Sequence, residues 1–382
     1  MIYKAYKYRI YPNVKQQRLL AKTFGCVRYF WNKQVEAFNS YDKETNTKPE
    51  FKTSTELRNE IDWMQEVSAA AIQQKEKDFK QFKKQIFSKT RKKQIGRPKY
   101  KKKNGKQSFR LPNQKFSIKD SRIRLEKIGW IKMVVDREID GKLMSVTISK
   151  NSSGQYFASI LVEKQINKLN KTGYDIGIDV GLKDFLVQSD GIVVANPRYF
   201  RESQAKLRRM QQHLSRKKKG SRRRYKCKLK VAKLHQKIVN QRAWFLHNES
   251  TRIIKNYDVI AIEDLNVDGL LKNKKLAKSI SDVSWSEFFR QLKYKAEWYG
   301  KTLVKVDKFA PTSKTCSVCG WKNKNLTLKD RMFACPVCGL EINRDYNAAI
   351  NIKALGVNSA IRTQSEHKTL SSAIHEEAFS VK

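Results

Sequence analysis

Four cysteines fall in two pairs, Cys316-x2-Cys319 and Cys335-x2-Cys338, with fifteen residues between them, and each pair runs into a glycine as CSVCG and CPVCG. Thiolates at this spacing can surround one tetrahedral zinc, while the two CxxCG turns supply tight knuckles that aim backbone N–H groups at sulfur. Such a site is closed, so it folds a module and leaves no position for a reacting water. A single ribbon could equally serve as a bare nucleic-acid contact module, and spacing alone leaves that open. Seven residues beyond Cys338 stands Asp345, a carboxylate with no place in a four-cysteine site.

Two other acids invite the same question. In GYDIGIDVGLKDF, residues 173–185, strand alternation puts Tyr174, Ile176, Ile178 and Val180 on one side and Asp175, Gly177, Asp179 and Gly181 on the other. The small neighbours are expected to leave Asp179 room for a ligand. Glu263 follows the apolar run Val259 to Ile262, which reads as a strand buried on both faces, with the acid at the carboxyl end where open α/β sheets place ligands. Asp345 opens the helical pattern RDYNAAINIKAL. Taken singly, each has an ordinary explanation: a hairpin end, a strand end, an acid complementing a helix dipole. Taken together, a strand, a strand end and a helix start would present hard oxygen ligands to two Mg²⁺ ions. Held ~3.5–4 Å apart, such ions suit in-line phosphoryl displacement, one activating water and the other stabilising the leaving 3′ oxygen.

The elements that would position these groups can be followed along the chain. Residues 2–11 alternate as a strand, Pro12 breaks it, and Asn13 offers an N-cap to helical spacing through Leu19, Leu20, Phe24, Val27, Phe30, Trp31 and Val35. A second helical stretch is expected over about residues 54–88, with Leu57, Ile61, Met64, Val67, Ala71 and Ile72 on its apolar side. Residues 89–106 hold ten Lys or Arg and no acid, and Gly96, Pro98 and Gly105 make them a basic loop. From 108 to 164 short strands alternate with the turn signals DGK and NSSG. An all-β unit is thus interrupted by a helical insertion. Residues 166–173 read as a linker, after which strand, hairpin, long basic helices, strand, helix and strand follow in α/β order. Gly356 is expected to end the last helix as a C′ residue, and the polar, aperiodic tail beyond it reads as disordered.

Charge narrows the function classes. Over 382 residues, 81 Lys plus Arg against 36 Asp plus Glu leave a net +45, so the chain repels itself unless a polyanion sits on it. Residues 206–242 carry sixteen Lys or Arg and no acid, which argues for contact with phosphate. No apolar signal region follows the N-terminal charges and no uninterrupted run of 18 apolar residues occurs, so a soluble, unexported protein is expected. Cys26 and Cys227 are isolated, and the paired four are metal arithmetic in a reducing compartment, not a disulfide framework.

DIGIDVGLKDF, AIEDLN and RDYNAAINI, with the CSVCG to CPVCG ribbon placed just before the last, resemble the split RuvC nuclease domain and zinc ribbon of the TnpB (OrfB) family, transposon-encoded relatives of compact type V CRISPR effectors. The resemblance extends through YKYRIYPNVKQQRLL, FGCVRYFWN, GRPKYKKK and SISDVSWSEFFRQLKYKAEWYG, so it covers roughly residues 1–355. It implies a multidomain α+β chain. A β-barrel wedge domain (1–12 and 107–166) would be split by a helical recognition insertion (13–106). A RuvC-like α/β nuclease domain of RNase H fold (173–310 and 341–356) would carry an inserted zinc ribbon (311–340), with a tail at 357–382. It implies an RNA-guided DNA endonuclease that binds a guide RNA from the transposon end and cleaves target double-stranded DNA beside a short motif. Asp179, Glu263 and Asp345 would be the ligands of two catalytic Mg²⁺, and Cys316, Cys319, Cys335 and Cys338 those of one structural Zn²⁺.

Asn343 stands where many relatives carry Asp, so no catalytic role is assigned to it. None of the five His residues sits in an HNH-like setting, so one centre would cut both strands in turn. The helix around Ala71, Gln73 and Lys77, with Phe51, matches the region that faces the target-adjacent motif in relatives. Two other classes compete. A nuclease-inactive RNA-guided repressor should have lost at least one carboxylate, and all three are present. A single-strand transposase would need a His-hydrophobe-His and catalytic Tyr arrangement that this chain lacks, which leaves an accessory transposition protein. A monomer with one RNA, in the cytoplasm with the nucleoid and no membrane, is the expected state.

Overall fold

Alternating apolar and polar residues build the first of two units. The computed structural model describes residues 1–40, 49–88, 96–327 and 329–379, without the side chains of 363–379. It separates at Gln165/Ile166.

The first unit contains β1 (Ile2–Tyr11), α1 (Val14–Asn39), α2 (Ser54–Glu60), α3 (Ala69–Ile86), β2 (Gln107–Pro112), β3 (Phe116–Lys119), β4 (Arg122–Leu125), β5 (Gly129–Val134), β6 (Lys142–Lys150) and β7 (Tyr156–Lys164). Its strands form one seven-stranded antiparallel sheet in the order β2-β6-β7-β1-β5-β4-β3. Every second residue of β7, from Tyr156 through Ala158 and Ile160 to Val162, is buried, as the period of two requires. These residues join inward side chains from all six other strands in a single apolar cluster, so the sheet wraps its own core. Leu20, Phe24 and Val27 of α1 and Ala70 and Ala71 of α3 close that core.

The expected cap at Asn13 is present as a capping box: Gln16 N–H donates to Asn13 Oδ1 at 2.9 Å and Asn13 N–H to Gln16 Oε1 at 3.0 Å. The stretch expected to be one helix over 54–88 is broken. α2 ends at Ile61, which is extended, and the Arg58 guanidinium bonds the carbonyls of Met64 and Val67 at 3.1 Å each before α3 begins. Of the basic loop, residues 96–106 are irregular as expected, and 89–95 lie outside the described residues.

The second unit contains β8 (Asp175–Val180), β9 (Asp184–Gln188), β10 (Val193–Ala195), α4 (Tyr199–Ser215), α5 (Arg222–Asn256), β11 (Val259–Glu263), α6 (Val267–Leu270), α7 (Ala277–Val283), α8 (Trp285–Tyr299), β12 (Thr302–Val306), β13 (Met332–Ala334), β14 (Glu341–Asn343) and α9 (Arg344–Phe379). The sheet order is β10-β9-β8-β11-β12. β8, β9 and β10 form an antiparallel meander, whereas β11 lies parallel to both β8 and β12. Parallel neighbours need long crossovers, which α4–α5 and α6–α8 provide. β11 is therefore central, and Ile260, Ala261 and Ile262 are fully buried.

Helix α9 continues through Gly356, where the sequence suggested a stop. A Cβ on Gly356 would lie 2.3 Å from the Ala261 Cβ, so the glycine marks close helix–sheet packing and not a left-handed cap. No Pro or Gly follows it, and the helix is described as far as Phe379, with residues 380–382 outside the described residues. Among the described residues no helix is long and apolar enough to cross a membrane.

Candidate carboxylate centre and cysteine cluster

Strand register delivers the first two acids. Ile178 of β8 pairs with Ile262 of β11 in parallel, so Asp179 and Glu263 are the next residues on adjacent strands. The third arrives on α9. Asn343, the last residue of β14, accepts the Asp345 N–H at 2.9 Å and the Tyr346 N–H at 3.2 Å through Oδ1. It is the N-cap of the helix, a structural task for a position given no catalytic one.

Electrostatics tie the three together. Desolvation raises the Asp179 carboxyl well above the usual carboxylate range, and the charges of Glu263 and then Asp345 push it further, against the pull of Arg344. Asp345 Oδ1 accepts from Arg344 Nε at 3.3 Å and Nη2 at 3.1 Å, and Arg331 stands 3.9 Å from Oδ2. Glu263 Oε1 accepts from the Thr312 hydroxyl at 2.6 Å. Among the described residues only the four cysteines form a tight group of possible metal ligands; Asp345 is held by the arginines and Glu263 by Thr312.

The expectation that glycines clear room for a ligand beside Asp179 needs correction. A Cβ on Gly177 would meet the Ala349 carbonyl oxygen at 2.1 Å and Lys353 N at 2.4 Å, and one on Gly181 the Asp184 carbonyl oxygen at 2.9 Å. The space is already taken by α9 and by the β8–β9 turn. Gly177 instead lets α9 lie directly on β8, which brings Asp345 to Asp179.

The four expected cysteines come together, with every pair of sulfurs within 4.8 Å. Cys316 and Cys338 are 3.6 Å apart, and Cys319 and Cys335 are 3.4 Å apart. The two knuckles repeat one geometry. Gly320 N–H donates to Cys316 O and Gly339 N–H to Cys335 O, both at 3.0 Å, with φ of 79° and 72°, values that favour glycine. Burial pushes the Cys316 thiol up, but N–H donors at Cys319 and Val318 outweigh it and bring it to about 7. The Leu340 amide pulls Cys338 down, yet desolvation and its three neighbouring thiols drive it to about 12. Four thiolates at this separation need a cation, and sulfur donors in this arrangement can hold a metal.

Two asparagines on α9, Asn347 fully buried and Asn351 half-buried, tie this cluster to the helix that lies on the sheet, and sequence reasoning assigned them nothing. Asn347 Oδ1 accepts Ser317 N–H at 3.0 Å while its Nδ2 donates to Thr315 O at 2.7 Å. Asn351 Nδ2 donates to the carbonyls of Thr312 and Thr315, each at 2.7 Å. Their i, i+4 spacing in an otherwise apolar helix face was the available signal, since polar groups buried there need partners.

Phe51, Gln73 and Lys77 belong to the other unit. Gln73 and Lys77 are exposed one turn apart on α3, and Phe51 packs on Phe79 with Lys83 Nζ 3.5 Å above its ring. Ala71 is buried in the core of that unit.

Comparison with known proteins bears on the whole chain. Family profiles match residues 159–274 ("Probable transposase", OrfB_IS605), 285–352 ("Cas12f1-like, TNB domain") and 1–45 ("Helix-turn-helix domain"). Among the described residues of the last stretch there is one strand and one helix. A Streptomyces pristinaespiralis protein provisionally described as an RNA-guided DNA endonuclease is 34% identical over 93% of this chain and 89% of its own length. Escherichia coli (strain K12) InsQ, with the same provisional description, is 32% identical over 92% of each chain. The fold resembles that of Cas12f1 solved by cryo-EM with single guide RNA and target DNA, at a TM-score of 0.53 and 15% identity over 92% of this chain and 98% of that one. With relatives of this identity aligned along almost its whole length, the chain belongs to the TnpB (OrfB) family.

Proposed function

We propose that this protein is an RNA-guided DNA endonuclease of a transposable element, which binds a transposon-derived guide RNA and hydrolyses target double-stranded DNA at a RuvC-type centre formed by Asp179, Glu263 and Asp345. One observation carries the reading: parallel register makes Asp179 and Glu263 neighbours at the ends of β8 and β11, and α9, which opens with Asp345, lies directly on β8. A folded protein concentrates negative charge in this way at a cost, and a hard cation relieves it. The sheet order, with its antiparallel meander followed by two parallel strands, agrees with an RNase H-type domain. The wrapped sheet of the first unit, split in sequence by α1–α3, agrees with a wedge and recognition insertion at 1–12, 107–166 and 13–106.

Asp179, Glu263 and Asp345 are hard oxygen donors that fit Mg²⁺, which when bound supplies an activated water and neutralises the leaving oxygen. The protein's own contribution is orientation. Thr312 fixes one oxygen of Glu263, Arg344 and Arg331 restrain Asp345, and Asn343 sets the start of α9. Cys316, Cys319, Cys335 and Cys338 are soft donors that fit one structural Zn²⁺. The basic faces of α4 and α5 would carry phosphate contacts, and Gln73, Lys77 and Phe51 are the proposed readers of the target-adjacent motif.

The test is direct. The protein is purified with RNAs transcribed from its own locus, bound RNA is sequenced, and Mg²⁺ is added with plasmids carrying a guide-matched target beside a randomised flank. RNA that co-purifies and cleavage beside a restricted set of flanks support the reading. Protein that folds free of RNA and never retains it overturns it.

A further inference from the structure

A series of hydrogen bonds runs from the cysteine cluster to Glu263. Asn347, fully buried, joins Ser317 inside the first knuckle to Thr315. One turn along α9, Asn351 uses the two hydrogens of its amide nitrogen on Thr315 O and Thr312 O, 2.7 Å each. Thr312, only 4% exposed, then donates its hydroxyl to Glu263 Oε1 at 2.6 Å.

We infer that Thr312 is a positioning residue for Glu263 and that Asn351 holds Thr312 in place, so that the fold of the cysteine ribbon sets the orientation of a carboxylate in the centre. The inference rests on the reading of Asp179, Glu263 and Asp345 given above. A glutamate has three side-chain torsions and loses its aim unless something fixes them. Thr312 does so with a charge-assisted hydrogen bond to one oxygen, which leaves Oε2 for the centre. Its β-branch stiffens the first torsion, and burial excludes water that would otherwise compete for the carboxylate. The backbone at 312 has its own anchors, since Thr312 N–H donates to Ala310 O at 2.8 Å and Asn351 grips the Thr312 carbonyl. Partners of this kind behind a metal ligand alter affinity or activity by about 10- to 100-fold when lost.

The experiment uses the full-length protein in its guide RNA complex. Thr312→Val keeps the shape and removes the donor, Thr312→Ser keeps the donor, and Asn351→Leu removes the grip on the 312 and 315 carbonyls. Cleavage is measured across a Mg²⁺ titration. In parallel, Fe²⁺ is substituted for Mg²⁺ and hydrogen peroxide with ascorbate is added, so that peroxide reduced by the bound iron releases hydroxyl radicals that cut the backbone near the centre, which reports occupancy without DNA cleavage. Thr312→Val is expected to raise the Mg²⁺ midpoint and slow cleavage, each by about 10- to 100-fold, and to weaken Fe²⁺-directed cutting beside Glu263. Target binding and melting temperature should stay at wild-type values, Thr312→Ser should restore most of both losses, and Asn351→Leu should move in the direction of Thr312→Val. Thr312→Val with a wild-type midpoint, rate and Fe²⁺ pattern overturns the inference, as does a loss that Thr312→Ser shares in full and that follows melting temperature. An Asp179→Asn control separates the two levels. If it cleaves normally, the centre itself is misassigned. If it is inactive while Thr312→Val is normal, only the positioning role fails.

Discussion

Gly177 on β8 lies so close to Ala349 on α9 that a methyl group at Gly177 would stand 2.1 Å from the Ala349 carbonyl oxygen. A second close approach, between Gly356 and Ala261, holds the same helix to β11 two turns further on. Two adjacent strands and one helix thus meet in close contact, and each carries one of the three acids of the proposed centre.

Replacing Gly177 with alanine should therefore push α9 off the sheet. The obstructing atoms are backbone, which cannot swing aside, and overpacking of this kind costs about 1–3 kcal/mol. The expected outcome is a melting temperature several degrees lower together with a loss of cleavage, while the metal content of the purified protein's cysteine cluster is unchanged. Unaltered melting and cleavage in Gly177→Ala would mean that α9 does not sit where described.

Much of this was legible in the sequence, and the failures have physical causes. The spacing of the four paired cysteines specifies its own geometry because both knuckles are local. Asp179 and Glu263 could be read as strand positions because alternation and the apolar run Val259 to Ile262 are local patterns too. What stayed hidden depends on contacts far apart in the chain. Gly177 and Gly356 read as clearance for a ligand and as a helix stop, because nothing in a one-dimensional pattern says that a glycine is opposite another backbone. Asn347, Asn351 and Thr312 were missed for the same reason: their partners lie 30 to 49 residues away.

The approach to β8 is clamped by Asp258. Its carboxylate accepts from Lys301 Nζ at 2.5 Å and from the amides of Thr172 and Gly173 at 2.9 and 2.8 Å. Burial alone would raise this acid, but Lys301 and the two amides hold it down at about 2. Because the folded value lies below the unfolded one, the clamp stabilises fully above about pH 4 and fades as pH falls towards 2. Thermal melting of Asp258→Asn should be lower than wild type at pH 7, with the gap closing through that window. A gap that is constant across pH would assign the effect to something other than this carboxylate.

Removing the metal from the cysteine cluster should be felt on α9. Cys316→Ser, or treatment with a strong chelator, is expected to loosen the first knuckle and with it the Ser317 and Thr315 partners of Asn347. Hydrogen–deuterium exchange should then rise in residues 312–320 and at the start of α9, residues 344–352, while the first unit stays protected. Faster exchange confined to the ribbon would show that the asparagines do not transmit the change.

Retention of nucleic acid should depend steeply on salt. Neutralising phosphates releases counterions, so the logarithm of affinity falls with the logarithm of salt concentration by about 0.7 to 0.9 per contact. Helix α5 presents Tyr225 at 60% and Trp244 at 65% exposure among its Lys and Arg residues. Changing Lys226, Lys230 and Lys237 to glutamine should reduce the slope by about two to three, measured by filter binding of guide RNA over a salt series. An unchanged slope would place the phosphate contacts elsewhere.

The central claim is that Asp179, Glu263 and Asp345 form one hydrolytic centre. The most direct measurement is cleavage of a guide-matched plasmid by Asp179→Asn, Glu263→Gln and Asp345→Asn, each assembled with guide RNA and first shown to bind target DNA as the wild type does. The account predicts that all three bind and none cleaves either strand above the level of a protein-free control. Wild-type cleavage by any one of them would contradict it.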